Sequence, residues 1–303
     1  MHISSLVENQ LIFLSVSVIS LSGTNEVVIF YGNAMDNLFI RSPNTLTTFR
    51  DTILGDIEIF DFNYDGLLDL AICSSFIPYM HEDGSLSVFL NTGDDQQFEW
   101  SFDLSSLFPC HFLAIVDPVE DQKEFKIIYF IYWISGDTPM CALVVLPDHH
   151  AMELGIVPYN IHGLTSSMTK GRFNYDQYED LLLVFPDIDT LQILLSDGPG
   201  EFTQEVYFTA PHPTSAIRIN FNNDQFDDLA VLCCNRTITI FLGTSSGFMD
   251  QNYLSFLLDE RDSTQCAHSL TVADLNGDGR DDLIFIDAET HSVYVLLDKR
   301  CYE

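Results

Sequence analysis

Asp274-Leu-Asn-Gly-Asp-Gly-Arg-Asp-Asp282 places oxygen-bearing side chains at alternate positions, sets glycines between them, and runs straight into an apolar stretch at 283–286. The same nine-residue pattern stands upstream as Asp61-Phe-Asn-Tyr-Asp-Gly-Leu-Leu-Asp69. Weaker copies occupy 172–180 and 220–228, and a degenerate one begins at Asp117. The five starts, 61, 117, 172, 220 and 274, lie 56, 55, 48 and 54 residues apart, a period of about 53. A fixed period of that size marks a repeat architecture, in which one unit cannot bury its apolar faces alone and must pack on its neighbours.

Around each loop the order of segments is the same. A short apolar strand (57–60, 113–116, 216–219, 270–273) precedes the loop, and a second follows it (68–73, 181–185, 229–233, 283–286). A turn, a third strand, a glycine-containing turn and a fourth strand near an aromatic complete the unit. That last turn reads FYGNAMDNLF at 30–39, LNTGDDQQF at 90–98, LSDGPGEF at 195–202 and LGTSSGF at 242–248. Four short strands at hairpin spacing are what a propeller blade requires. The predicted fold class is therefore all-β, a β-propeller of four-stranded blades with six repeats visible, forming one domain over 1–303.

The first repeat has no acidic loop. Residues 11–23 offer the apolar core of a signal peptide as one reading, but no Lys or Arg precedes them while Glu8 does, and the first repeat needs an upstream strand, so 11–18 are read as that strand. They are also too few to span a bilayer, which takes about 20 apolar residues. The expected tally is three strands in the first repeat, four in each of the next four and three in the last, or 22, with the six repeats read as part of a longer ring.

Composition excludes whole classes of function. The chain has 12 Lys plus Arg against 45 Asp plus Glu, a net charge of −33, so phosphate-seeking nucleic-acid binding is not expected. An apolar fraction of 47% with 19% charged residues supplies a core and argues against disorder. The 24 Phe and 12 Tyr suit strands. Seven cysteines, none in a C-x-x-C pair, fit neither a zinc site nor a small disulfide framework, and leave one or two bridges open.

The two full loops carry candidate metal ligands. Asp61, Asn63, Asp65 and Asp69 stand at loop positions 1, 3, 5 and 9, as do Asp274, Asn276, Asp278 and Asp282, and position 7 adds the carbonyl of Leu67 or Arg280. Calcium takes six to eight oxygens at roughly 2.3–2.6 Å, and a loop curling around a point delivers alternate side chains inward. Gly66 and Gly279 at position 6 allow a positive φ. Three crowded carboxylates repel one another when no cation is present. The loop at 220–228 offers a weaker set, Asn220, Asn222, Asp224, the Phe226 carbonyl and Asp228, with Gln225 in place of the glycine. At 172–180 Arg172 replaces the first ligand, and its guanidinium is expected to pair with Asp176 or Asp180 in place of a metal. No metal is expected there or after Asp117.

The D-x-N-x-D-G-x-x-D-L loops and glycine–aromatic turns resemble FG-GAP (VCBS-like) repeats, the blades of integrin α-chain N-terminal propellers and of many secreted repeat proteins. The resemblance covers about residues 9–300. It implies calcium at the edge of each blade and rings that usually hold seven blades. The chain departs from integrins where a Gly-Ala-Pro element follows the second strand, having AICSSF, LLLVFP and AVLCCN instead.

Other features carry less. His149-His150 reads as a solvated turn, Trp100 and Trp133 as blade packing, and Asn235-Arg-Thr237 as a lone glycosylation sequon. No nucleophile elbow, zincin, P-loop or dinucleotide motif is present. The leading expectation is a non-enzymatic, calcium-stabilised extracellular or cell-surface module for adhesion to a protein or glycan, with no direct membrane insertion. The alternatives are the propeller portion of a secreted enzyme, a polysaccharide lyase or phospholipase for instance, and a lectin.

Overall fold

The computed structural model describes residues 3–5, 16–20, 26–33, 38–47, 52–76, 84–93, 98–106, 110–116, 126–135, 138–147, 155–157, 165–174, 176–196, 202–245, 247, 253–258, 266–287 and 292–297. They form two compact units, one of 1–115 with 126–160 and one of 116–125 with 161–303. Both are built from up-and-down antiparallel sheets in chain order, the blades of a β-propeller.

The first unit holds β1 (Ile3–Ser5), β2 (Val16–Ser20), β3 (Glu26–Asn33) and β4 (Leu38–Thr47); then β5 (Thr52–Phe60), β6 (Asp69–Phe76), β7 (Gly84–Asn91) and β8 (Phe98–Ser106); then β9 (Cys110–Val116), β10 (Lys126–Ser135), β11 (Thr138–Pro147) and β12 (Gly155–Val157). The second holds β13 (Ser167–Gly171), β14 (Asp180–Phe185), β15 (Thr190–Ser196) and β16 (Phe202–Phe208); then β17 (Pro213–Ile219), β18 (Asp228–Cys233), β19 (Thr237–Phe241) and β20 (Tyr253–Leu257); then β21 (Ala267–Ala273), β22 (Asp282–Asp287) and β23 (Ser292–Leu296).

Successive side chains on a strand point to opposite faces, so a strand covered on both sides must be apolar throughout. In β18, Leu229, Val231 and Cys233 pack with Leu182, Val184 and Ile193 of the preceding sheet. The residues between them, Ala230 and Leu232, pack with Leu270, Leu283 and Phe285 of the following one. In the first unit Val27 and Leu46 meet Ile57, Leu70, Ile72 and Phe89 in the same way. Among the fourth strands, β16 mixes polar and apolar residues and is largely exposed, and β20, although mostly apolar, is exposed along its whole length.

Polar ties supplement these cores. In the first unit Asp56 accepts the Leu113 N–H at 3.2 Å, joining β5 to β9. In the second, Thr214 Oγ1 donates to the Ala267 carbonyl at 2.9 Å and the Leu270 N–H donates to Ser215 Oγ at 3.2 Å. A Cys234–Cys266 disulfide and a buried ion pair, Arg236 Nη1 to Asp287 Oδ2 at 2.9 Å, link the same two sheets.

Three expectations need correction. The first sheet has four strands rather than three, because β1 pairs with β2; three residues without a following acidic loop leave too short a pattern to see. Of the strand expected at 11–18, residues 16–18 lie in β2, Val16–Ser20, which runs two residues further, and residues 11–15 lie outside what is described. The described strands thus number 23 rather than 22, with three in the last sheet. The loop after Asp117, His149-His150 and the side chains of Trp100 and Trp133 lie outside what is described.

Candidate functional site

Each acidic loop follows the first strand of its sheet and ends on the first residue of the second. Asn and Asp favour such turns because their side chains bond the backbone a few residues on, and the four described loops share one internal scheme. Position 3 donates its amide to the position-5 carboxylate: Asn63 to Asp65 at 2.9 Å, Asn174 to Asp176 at 2.7 Å, Asn222 to Asp224 at 2.7 Å and Asn276 to Asp278 at 3.2 Å. Position 5 then accepts the N–H of position 7, at Leu67, Tyr178, Phe226 and Arg280.

The two glycine loops go further. Gly66 has φ +87° and Gly279 φ +80°, with open space where a Cβ would stand, so the backbone conformation rather than crowding requires glycine. That bend turns the position-6 N–H onto position 1: Gly66 donates to Asp61 at 2.8 Å and Gly279 to Asp274 at 2.8 Å. Asp61 also accepts from Asp65, and Asp274 from Gly277 and Asp278. These donors hold the Asp274 carboxyl below the usual carboxylate range. Position 4 is left-handed as well, at Tyr64 (φ 58°), Asn223 (φ 59°) and Gly277 (φ 75°). With Gln225 at position 6, the loop at 220–228 lacks the second bend, and Asn220 donates its amide to the Asp224 carbonyl instead.

The position-9 aspartates, Asp69, Asp180, Asp228 and Asp282, are fully buried. One carboxylate oxygen accepts the N–H of loop position 2, from Phe62, Phe173, Phe221 or Leu275 at 2.8–3.0 Å. In three of them the other accepts an N–H at the end of the third strand, from Asn91 (2.7 Å), Ser196 (2.9 Å) or Gly243 (2.8 Å). This residue is a pin between loop and sheet. Burial raises the carboxyls of Asp69 and Asp228 and lifts Asp180 to about 7; these N–H bonds lower them, and the position-5 carboxylate raises them again. Asp61 adds to the repulsion on Asp69. A Cβ on Gly243 would lie 2.2 Å from the Asp227 carbonyl, so the glycine of LGTSSGF is there for close approach.

Position 8 went unread in the sequence. Asp227 accepts the Arg172 N–H at 2.9 Å and Asp281 accepts the Asn220 N–H at 3.3 Å, each tying a loop to position 1 of the preceding repeat. The doubled Asp-Asp at 227–228 and 281–282 is the only trace of it, since Leu68 and Glu179 fill that position elsewhere. Arg172 forms no ion pair with Asp176 or Asp180 among the described residues; its side chain lines a cleft instead.

The donor chemistry of 61–69 and 274–282 suits a hard cation: every side-chain ligand offers oxygen, and in the first loop the charges of Asp65 and Asp61 add to the burial that raises the Asp69 carboxyl. As folded here those oxygens are turned to loop N–H groups, and no three His, Cys, Asp or Glu converge as metal ligands among the described residues.

Residues 220–285, from position 1 of one loop into the strand after the next, match the family model FG-GAP-like repeat. No curated protein matches the sequence. Among solved structures, the periplasmic gluconolactonase PpgL of Pseudomonas aeruginosa is similar at TM-score 0.58 and 11% identity, over 90% of this chain and 78% of that one. Saccharomyces cerevisiae Sqt1 is similar at TM-score 0.53 and 9% identity, over 93% and 80%. At such identities the likeness is one of fold alone. On the sheets, the loops and these matches together, the chain has a β-propeller fold in which residues 220–285 match an FG-GAP-like repeat.

Proposed function

We propose that this chain is a calcium-stabilised extracellular propeller that acts as a binding module, presenting its loops and turns to a protein or glycan ligand. The observation that carries the reading is the oxygen-lined loop at 61–69, whose Asp61 and Asp65 stand close to the buried Asp69: burial raises the Asp69 carboxyl first, and the two neighbouring charges raise it further. A divalent cation turns that repulsion into attraction. Calcium would be held by Asp61, Asn63, Asp65, Asp69 and the Leu67 carbonyl, and by Asp274, Asn276, Asp278, Asp282 and the Arg280 carbonyl. Asn220, Asn222, Asp224, Asp228 and the Phe226 carbonyl form a weaker set with one carboxylate fewer. The ion contributes structural charge, and the protein residues supply the cage and its bend.

Mass action links the metal to location. At calcium a hundredfold above the dissociation constant, one site stabilises the fold by about 2.7 kcal/mol. Disulfide-bonded Cys234, Cys266 and Cys73 agree with an oxidising compartment. No helix among the described residues is long and apolar enough to cross a membrane.

The test is capture on arrays of glycans and matrix proteins, run with calcium and with chelator, beside hydrolase and lyase screens. Saturable calcium-dependent capture without turnover is expected. Turnover of a polymer at catalytic protein levels would overturn the reading.

A further inference from the structure

A cleft of about 1020 Å³ opens in the second unit beside the loops at 172–180 and 220–228. Its size is at the upper end of the roughly 300–1,000 Å³ usual for ligand sites. Lys170, Arg172 and Arg218 line it, which places three of the chain's 12 basic residues in one hollow of a molecule with net charge −33. We propose that this cleft binds a saccharide carrying a single carboxylate or sulfate group.

Arg172 and Arg218 are exposed and Lys170 is half-buried. Arg218 is held at one end by Asp227, with Nη1 to Oδ1 at 3.2 Å, and its side chain is still 57% exposed. Its stem crosses Gly171, where a Cβ would lie 3.2 Å from Arg218 Cδ and 2.7 Å from the Phe173 ring, so only glycine admits it there. The other oxygen of Asp227 accepts the Arg172 N–H, which fixes the backbone from which the second guanidinium extends. Two guanidinium forks and an ammonium are the residue types that grip a planar or tetrahedral oxyanion.

The rest of the lining decides the remainder of the ligand. Asp176, Glu179 and Asp227 balance the three cations, so a polyanion would meet repulsion and one anionic group is the limit. Gln177, Gln225 and the Tyr178 hydroxyl add donors and acceptors together, as a ring of sugar hydroxyls requires. No aliphatic side chain is among the described lining residues, which leaves a peptide's apolar groups without a partner. The inference rests on the binding-module reading and is independent of calcium.

The experiment is calorimetric titration of the full chain with a glucuronic-acid disaccharide, glucose 6-sulfate, the neutral parent disaccharide and inorganic sulfate. Binding of the uronate or the sulfated sugar, at least tenfold tighter than the neutral parent and than sulfate alone, is expected. Arg172→Gln and Arg218→Gln should each weaken it at least tenfold with melting unchanged, and Arg218→Lys should fall between. Three results would overturn the proposal: neither acidic sugar binding at 10 mM, the neutral sugar or bare sulfate binding as well, or the glutamine variants retaining affinity. If the arrays capture a ligand that both variants still bind, this site fails while the binding-module reading stands; turnover in the enzyme screens defeats that reading instead.

Discussion

Asp180 pins the loop at 172–180 to the third strand of its own sheet. Its carboxylate is buried and accepts two backbone N–H groups, from Phe173 at 2.8 Å and Ser196 at 2.9 Å. Asp180→Ala leaves both donors without a partner inside the fold, at about 1–3 kcal/mol each, so a loss of about 2–6 kcal/mol is expected. The loss should depend on pH. Burial lifts the folded carboxyl from 3.8 to about 7, so between those values the folded state binds more protons than the unfolded one. Stability contributed by this group is therefore full below pH 3.8 and is lost progressively as pH rises from there through about 7. Asp69 and Asp228 push wild type in the same direction, and subtracting the variant from wild type isolates Asp180. Urea unfolding followed by fluorescence at pH 5 and pH 8 measures both proteins. The gap should be widest at pH 5 and narrow toward pH 8; a constant gap, or one that widens with pH, would refute the desolvation argument.

Two further substitutions probe the joints of the second unit. Asp287→Ala removes the carboxylate that pairs with the buried Arg236 guanidinium and should cost about 3–5 kcal/mol, whereas the double change Asp287→Leu with Arg236→Met should recover most of it in the same unfolding assay. Gly243→Ala forces a methyl against the Asp227 carbonyl and should cost about 1–3 kcal/mol by overpacking; an unchanged melting temperature would show that the turn yields freely.

The repeat was readable because its signals are local. An apolar run behind an alternating acidic loop needs only a dozen consecutive residues, and Gly66 and Gly279 at position 6 announce the bend they make. What escaped depends on partners far along the chain. Position 9 was read as a metal ligand, and its second part as a pin was not: its oxygens also meet N–H groups 22, 16 and 15 residues away at Asn91, Ser196 and Gly243. Position 8 reaches farther still, from Asp227 to Arg172 across 55 residues and from Asp281 to Asn220 across 61. The left-handed position 4 is filled by Tyr64, Asn223 and Gly277, which share no side-chain chemistry. Arg172 was expected to replace a metal's charge inside its own loop; only the neighbouring sheet, with Arg218 on β17, reveals the cleft it lines.

Thermal melting with calcium and with chelator bears most directly on the acidic loops. Calcium should raise the midpoint of wild type, Asp65→Ala or Asp278→Ala should each reduce that shift, and the double variant should keep at most the smaller part that the weaker loop at 220–228 supplies. A midpoint that is the same with calcium and with chelator would contradict the account.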